Sequence, residues 1–383
     1  MRVLHVHPWG PCHPIRSGAD AVAANQLAYF ASRGWEVHHL TGQASDDAVE
    51  ALRREVPSLA SITELPVALK GHLRHNLLEF VSLRRHPALQ SILSRSYDVV
   101  FTNYVFTAPL LDLATRSRRR ILETVDILAD GWSVFEEGVA GDRNPGKIAA
   151  TRAYLRRVEA DLYTLFDRVV FLSRADHEAA QRAGVTNGCF IPPHVPDESV
   201  SGTQALAPTD LLFVGSAYPP NRDGIDWFYH SVFLPHLRPM GTTLTIIGSV
   251  CRLIDMREDP QVRLIPFLEG SLAPAYAATK LALVPIFEGT GVAIKTIEAL
   301  GFGAAIYTTP VGARGLPDIG DAMIIDPMKP DPAATASAIL ALVSDPARRE
   351  RLSEAARRAY EAHFSRDVYD RRLTTMFTQL GLL

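Results

Sequence analysis

Three cysteines in 383 residues (Cys12, Cys189, Cys251) are too few to staple a chain of this length, and none belongs to a C-x-x-C pair. A disulfide scaffold and a structural zinc site are therefore not indicated, and the count suits a reducing compartment. No uninterrupted apolar run approaches the roughly 20 residues that span a bilayer. The opening MRVLHVHPWG has one early Arg, but its apolar stretch is short and is broken by His5, His7 and Pro8. It reads as a first strand rather than a secretion signal. Charge of one sign is missing too: 39 Lys and Arg against 42 Asp and Glu leave a net −3, with no global field to draw nucleic acid. There is no low-complexity tract and no short-period repeat. No G-x-G-x-x-G follows the first strand, which argues against a standard dehydrogenase. These absences lead us to expect a soluble, cytoplasmic protein.

What is present is ordinary for a globular chain: 47% hydrophobic and 21% charged residues. At roughly 100–200 residues per domain, the length suggests two domains. Short apolar strands alternate with helical patterns. Strands are expected at Arg2–His7, Glu36–Thr41, Asp98–Thr102, Arg120–Thr124, Arg168–Leu172 and Cys189–Ile191. A helix over Ala21–Arg33 ends at Gly34, where a C-cap glycine belongs. The stretch HVPDESVSGTQALAPT, residues 194–209, breaks the alternation and reads as a linker. A second alternation starts at Leu211, with strands expected at Leu211–Val214, Thr243–Ile247, Val262–Ile265, Ala282–Pro285, Ala304–Thr308 and Met323–Ile325. Two long helices follow, each opened by an Asp-Pro pair (Asp331-Pro332 and Asp345-Pro346) that suits an N-cap and first helical position. The fold class is α/β, with two doubly wound parallel-sheet domains. Ligands of such sheets sit beyond the carboxyl ends of the strands, and two of them facing each other would make a cleft suited to two substrates.

The loops after the strands carry the candidate chemistry. After the first strand, a Pro- and Gly-rich loop ends at Ser17-Gly18 before a helix, whose first amides can receive a phosphate or a sugar hydroxyl; an ordinary strand–helix connection is the alternative. His5, His7, Cys12 and His13 make a poor metal set with no carboxylate among them, though His7 stands where it could line the cleft. Asp126 follows the strand Arg120–Thr124 and is either a site residue or the N-cap of the next segment. The most informative stretch is PIFEGTGVAIKTIEALGFGAAIYTT, residues 285–309. Here a buried strand gives way to Glu288-Gly289-Thr290-Gly291 and then to a helix bearing Lys295 and Glu298 three apart. The loop amides could cradle a diphosphate or sugar, the Lys could neutralise phosphate, and the Glu could accept two ribose hydroxyls. A surface Lys–Glu pair is the bland alternative. In GSAYPPNRDGIDWF, Gly215 ends a strand and Asn221-Arg222-Asp223 open a helix; Arg222 could pair with phosphate, and Asn221 could be a plain N-cap.

At these residues the chain resembles the group 1 glycosyltransferases, retaining and nucleotide-sugar-dependent enzymes of GT-B fold. The resemblance runs over nearly the whole chain. It is strongest in FVGSAYPPNRDGIDWF, LTIIGS, VRLIPFLEGSLAPAYAATKLALVPI and GTGVAIKTIEALGFGAAIYTTPVGARGL, with SGADAVAANQLAYFASRGWEVHHLT matching near the amino terminus. It implies that Glu298 is the second Glu of the E-x7-E motif and holds the donor ribose. Lys295 and Arg222 would hold the diphosphate, Gly289, Thr290 and Gly291 would approach the donor sugar, and Gly312 would begin a phosphate-side loop. Phe267 would lie near the nucleobase, and Gly18 would face the donor phosphate or the acceptor from the other domain. We thus expect Asp126, Lys295, Glu298 and Arg222 to carry catalysis. Gly18, Gly215, Asn221, Phe267, Glu288, Gly289, Thr290, Gly291 and Gly312 are expected to bind donor. Two positions depart from the family pattern: Thr290 stands where the first motif Glu belongs, and Val125 stands where a His often precedes Asp126.

The implied domains are an acceptor-side domain over 1–198 and a donor-binding domain over 205–365, with a last helix, 366–383, returning to the first. The implied reaction moves a sugar from a nucleoside diphosphate to an acceptor hydroxyl with retention, with no cofactor and no metal. The acceptor would be a glycan, a lipid-linked molecule or a small molecule. A non-catalytic nucleotide-sugar-binding protein and a nucleotide-sugar epimerase of the same fold are the alternatives. A phosphorylase is disfavoured, because no Lys stands in a recognisable pyridoxal-phosphate context. Finally, KGHLRHNLLEFVSLRRHPALQSILSR, residues 70–95, has Lys70, Arg74, Arg84, Arg85 and Arg95 against Glu79 alone. It reads either as a basic amphipathic stretch for peripheral contact at the inner face of a membrane, or as an exposed helix with a buried apolar face.

Overall fold

In a computed structural model the chain is described at residues 1–383 except 14, 16, 67–72, 112–115, 132–144, 196–205, 257 and 269. It divides into two compact units, Met1–Pro193 with Tyr369–Leu383, and His194–Val368. The division falls inside the last helix, Arg366–Gln379.

Among the described residues, the first unit is built on β1 (Arg2–His7), β2 (Glu36–Thr41), β3 (Leu59–Glu64), β4 (Ser96–Asn103), β5 (Arg116–Thr124), β6 (Arg168–Phe171) and β7 (Gly188–Phe190). All seven are parallel, in the order β3-β2-β1-β4-β5-β6-β7. Both faces of such a sheet are covered, so the alternation along β1 separates two cores rather than core from water. Leu4 and Val6 join Val100 and Leu122 on one side. Val3 joins Val99 and Ile121 on the other, beneath Leu27, Tyr29 and Phe30 of the helix Gly18–Ser32. The carboxyl-terminal helix closes that second core: Phe377 stacks on Tyr29 at 5.8 Å and meets Trp35 edge-on at 5.1 Å. β3 is absent from the strand pattern read along the sequence, because LASITE is a half-exposed edge strand with no apolar alternation.

The second unit carries β8 (Thr209–Val214), β9 (Leu244–Ile247), β10 (Val262–Ile265), β11 (Thr279–Val284), β12 (Ile306–Thr308) and β13 (Ile324–Ile325). They are again all parallel, in the order β10-β9-β8-β11-β12-β13. The Asp-Pro pairs act as caps: Asp331 accepts from Ala334 N at 2.9 Å and Asp345 from Arg348 N at 2.9 Å. In each sheet the winding direction reverses beside the first strand, between β1 and β4 and between β8 and β11. These are the topological switch points, where loops of opposite-going crossovers part and leave room for a ligand.

Candidate functional site

At the switch point of the second sheet, β8 leads through Gly215 to the helix Pro219–Phe228, and β11 leads through residues 285–293 to the helix Ile294–Gly301. The first of these helices and the end of β11 come together closely enough to require glycine. A Cβ on Gly224 would lie 2.1 Å from the Pro285 carbonyl oxygen, a backbone atom with nowhere to go.

This approach brings Lys295 to Asn221. The Lys295 Nζ donates to Asn221 Oδ1 at 2.6 Å and sits 4.6 Å from the centroid of the Phe213 ring. Asn221 donates its own amide to the Ser216 carbonyl at 3.0 Å, which turns its Oδ1 toward the lysine. Removal from water pushes the Lys295 pKa down to about 7, against the opposing pull of Glu298. One turn along the same helix, Glu298 accepts from the Tyr276 hydroxyl at 2.8 Å. Burial, reinforced by that carboxylate, holds the Tyr276 phenol well above its usual pKa. Phe302 stacks on the same ring at 4.8 Å.

The glycine loop is placed just ahead of this helix. Gly289 and Gly291 have φ of 142° and 68°, backbone that disfavours a side chain. The Arg314 guanidinium donates to the Gly291 carbonyl at 2.9 Å. Gly312 is tied to the Lys295 helix, its carbonyl accepting from Thr296 Oγ1 at 2.7 Å. Gly215 extends the sheet, its amide donating to the Ile247 carbonyl at 2.9 Å. Thr290 is half-buried and Glu288 exposed. Phe267, beyond the end of β10, is 69% exposed. Arg222 is turned to its neighbour Asp223, with Nε 2.7 Å from Oδ1. The structure therefore joins Lys295, Asn221 and Gly215, sets Glu298 and Gly312 against the same helix, and leaves Arg222 engaged elsewhere. Phe213 and Tyr276 were not among the candidates. LLFVGS reads as plain core, and Tyr276 lies 22 residues from Glu298 in sequence with no local pattern linking them.

In the first unit the switch point is a buried polar chain. The side chains of His5, His7, Gln26, His39, Asn103 and Glu123 are all sealed from solvent. His5 Nε2 meets Gln26 Oε1 at 2.6 Å, and His5 Nδ1 meets His39 Nδ1 at 2.9 Å. Because Gln26 Oε1 can only accept, His5 carries its proton on Nε2, and His39 donates from Nδ1. Gln26 in turn donates to Glu123 Oε1, as does Asn103 at 3.3 Å, while Asn103 Oδ1 accepts from His7 Nδ1 at 3.2 Å. Burial sets the protonation states: His5 is lowered to about 3, His39 lies well below its ordinary value, and Glu123 is raised to about 8. Both ring nitrogens of His5 and Nδ1 of His7 are thus engaged in hydrogen bonds, and among the described residues no three His, Cys, Asp or Glu side chains are arranged to hold a metal. None of these partnerships is visible along the sequence, since each joins separate elements, strand to strand or strand to the helix Gly18–Ser32.

Gly18 opens the helix Gly18–Ser32, capped by Ser17, whose hydroxyl accepts from Asp20 N at 3.2 Å. The Asp20 carboxylate, 2.8 Å from Ser17 Oγ and 4.0 Å from His7 Nε2, already stands at the positive end of this helix. A hydroxyl fits this end better than a second anion. Asp126 lies just past β5, where Thr124 Oγ1 donates to its carbonyl at 2.6 Å. The next amides, of Leu128 and Ala129, donate to the Glu159 carboxylate at 2.9 Å each, so a distant Glu rather than Asp126 receives them.

Each unit is thus a doubly wound parallel α/β sheet with a switch-point site, and the second carries a basic nitrogen and a carboxylate on a single helix. The sequence profile described as Glycosyl transferases group 1 matches residues 208–345, and that described as Glycosyl transferase 4-like domain matches residues 17–194. Together they take in most of the chain, which belongs to the group 1 glycosyltransferases. No protein of curated function matches it in sequence. Solved structures resemble it at low identity. Sucrose-phosphate synthase from Thermosynechococcus elongatus has TM-score 0.73 at 17% identity, covering 99% of each chain. Anabaena HepE, solved with UDP-glucose, has TM-score 0.68 at 12% identity, covering 99% of this chain and 100% of its own. WaaG, a glycosyltransferase involved in lipopolysaccharide biosynthesis, has TM-score 0.65 at 17% identity, covering 99% of this chain and 100% of its own. At these identities the likeness shows the GT-B fold.

Proposed function

We propose that this chain moves a sugar from a nucleoside diphosphate sugar to an acceptor hydroxyl, with retention at the anomeric carbon and without a metal. The observation that carries the reading is Lys295 held on Asn221 at the switch point, with Glu298 one turn away on the same helix. Lys295 would meet the diphosphate and Glu298 two ribose hydroxyls. HepE, solved with UDP-glucose, supports a donor of this class. Arg222 would add a second positive group once its exposed pair with Asp223 opens; such pairs hold by only about 0–1 kcal/mol. In this reading the leaving phosphate oxygen takes the acceptor's proton. The protein orients the two substrates and stabilises the charge that develops, with Lys295 and the amides of the glycine loop as donors.

The acceptor is a sugar, a lipid-linked molecule or another hydroxyl compound. The basic stretch favours a lipid-linked one. Its Lys70 falls outside the described residues, but its helices Leu73–Leu83 and Pro87–Leu93 bury Phe80, Leu83, Leu89 and Ile92 and leave Leu78 62% and Val81 49% exposed near the exposed Arg85. Apolar side chains beside cations suit the inner face of an anionic membrane, and no helix among the described residues is long and apolar enough to cross one. Binding to anionic vesicles that falls as salt rises is the expected result.

The reaction is tested with purified protein and a panel of UDP-, ADP-, GDP- and TDP-sugars, with and without acceptors. Nucleotide release that requires acceptor is expected. Tight donor binding without turnover would instead point to a binding protein, and interconversion of the sugar alone to an epimerase. Lys295→Ala and Glu298→Ala should each weaken donor binding by about 10- to 100-fold, the loss of one charge-assisted bond. Unchanged affinity in both would sink the site.

A further inference from the structure

The switch point of the first sheet lies between β1 and β4, and an aromatic residue follows each strand: Trp9 after β1 and Tyr104 after β4. Trp9 is 39% exposed, yet it is held on every side that the protein touches. The Pro8–Trp9 backbone lies against Gly42, just past β2, where a Cβ would come 2.6 Å from the Pro8 carbonyl oxygen. The indole meets the rings of Tyr104 and Phe106 nearly at right angles, each at 5.7 Å, and those two rings stack on each other at 5.3 Å. Both are buried. Tyr104 reaches this place with a φ of 67°, left-handed backbone that a bulky side chain disfavours, and its amide donates to the Glu123 carbonyl at 3.1 Å. Such strain persists where the surroundings over-determine it, and it collects at functional sites. Polar groups gather beside the rings. The His7 ring lies 6.4 Å from that of Tyr104; its Nδ1 is committed to Asn103, and its buried Nε2 has no hydrogen-bond partner. The Asp20 carboxylate stands 4.0 Å from that nitrogen, beyond hydrogen-bond reach, with its side chain 17% exposed. Burial raises the Tyr104 phenol, and the charges of Asp126 and Asp20 raise it further.

We propose that Trp9 and Asp20 form an acceptor subsite that takes an uncharged sugar ring. This rests on the glycosyl-transfer reading given above and names its second substrate. The C–H face of a pyranose carries partial positive charge and lies well against the negative face of an indole. The ring's hydroxyls donate to the Asp20 carboxylate. A hydroxyl can also give or take a hydrogen bond, which suits the unmet His7 nitrogen behind that carboxylate. Other occupants fit less well. A phosphate or carboxylate brought here meets the like charges of Asp20 and Asp126. An alkyl chain would cover Asp20 without giving it a hydrogen bond. Phe106 also packs on Phe80 at 5.8 Å, so the aromatic cluster under Trp9 continues into the helix Leu73–Leu83 of the basic stretch. That continuity suits the sugar end of a lipid-linked acceptor.

Two measurements on the intact chain test this. The first is saturation-transfer NMR with the methyl glycosides of glucose, galactose and mannose as probes, beside a hexose phosphate and glycerol. Saturation is expected on the ring C–H protons of at least one glycoside and to exceed that on both controls. It should be lost in Trp9→Leu and kept in Trp9→Phe. The second is transfer from the preferred nucleotide sugar to that glycoside. Trp9→Leu and Asp20→Asn should each raise the acceptor KM by about tenfold or more and leave the donor KM unchanged, with Trp9→Phe restoring most of the loss. A purely structural role for Trp9 would instead lower stability and move both KM values together. Saturation and an acceptor KM that are the same in Trp9→Leu as in the unmodified chain overturn the subsite, as does tighter binding of the hexose phosphate than of every neutral glycoside. Nucleotide sugars that bind while no glycoside shows saturation or accepts sugar would sink the subsite and leave the donor reading standing. Saturation that depends on Trp9 in a chain that binds no nucleotide sugar would support the sugar site and overturn the donor reading.

Discussion

Glu123 shows what burial does to a single residue. Its carboxyl is sealed at the end of β5, accepts from Gln26 and Asn103, and is raised to about 8. A carboxyl whose folded pKa exceeds its unfolded value of 4.5 supports the fold fully below pH 4.5, and that support is lost as pH rises through 8. His5 imposes the reverse demand: lowered from 6.5 to about 3, it costs stability as pH falls below 6.5. Glu123→Gln keeps an oxygen for both donors and removes the ionisation. We expect its thermal midpoint to exceed that of the unmodified chain at pH 8, by an amount corresponding to about 1–3 kcal/mol, and to match it at pH 5. Parallel melts at the two pH values check this; an equal shift at both would mean that Glu123 does not titrate in this range. Such a residue could not be found in RILETVD, where Glu123 falls within the expected strand Arg120–Thr124 and nothing in the sequence marks it as buried. Its partners come from the helix Gly18–Ser32 and from β4, and only the folded sheet brings them together.

At the scale of elements, the proposed donor site depends on how closely the helix Pro219–Phe228 approaches the end of β11. Gly224 is the point of contact, and the 2.1 Å from its would-be Cβ to the Pro285 carbonyl leaves backbone facing backbone. Gly224→Ala should destabilise the second unit by about 1–3 kcal/mol. It should also weaken nucleotide-sugar binding, since the same helix carries Asn221 to Lys295. Gly10→Ala, where no atom lies within 4 Å, should stay within about 0.5 kcal/mol of the unmodified chain. Denaturant unfolding and donor titration of both variants test this, and equal effects would remove Gly224 from the account. The elements that position the site were legible in the sequence for a physical reason. Buried parallel strands such as LLFVGS and LALVPI are continuous apolar runs, and glycines mark where they turn. What stayed hidden lacks such a signature: β3 on the sheet edge, the first residues of β5 inside the charged run RSRRR, and the cross-element partners Phe213 and Tyr276.

At the scale of the whole molecule, the second unit is entered and left by the chain at one place. His194 Nδ1 lies 3.0 Å from the Phe364 carbonyl, and the Tyr360 hydroxyl donates to the Val195 carbonyl at 2.7 Å. These bonds fasten the unit's two ends to each other, and its apolar core is continuous from Val195 to Phe364. A unit with its own core and joined ends has what independent folding needs. Lys295, Asn221, Glu298, Phe213 and Tyr276 all lie within it. We therefore expect residues 194–368, expressed alone, to melt in one cooperative transition and to bind the preferred nucleotide sugar within roughly tenfold of the intact chain, a difference of about 1.4 kcal/mol. They should catalyse no transfer, because the proposed acceptor side belongs to the other unit. Circular dichroism and calorimetry decide the matter. A folded fragment whose affinity is more than about a hundredfold weaker would mean that Met1–Pro193 supplies donor contacts of its own, and Gly18, at the head of its helix, would be the first position to substitute.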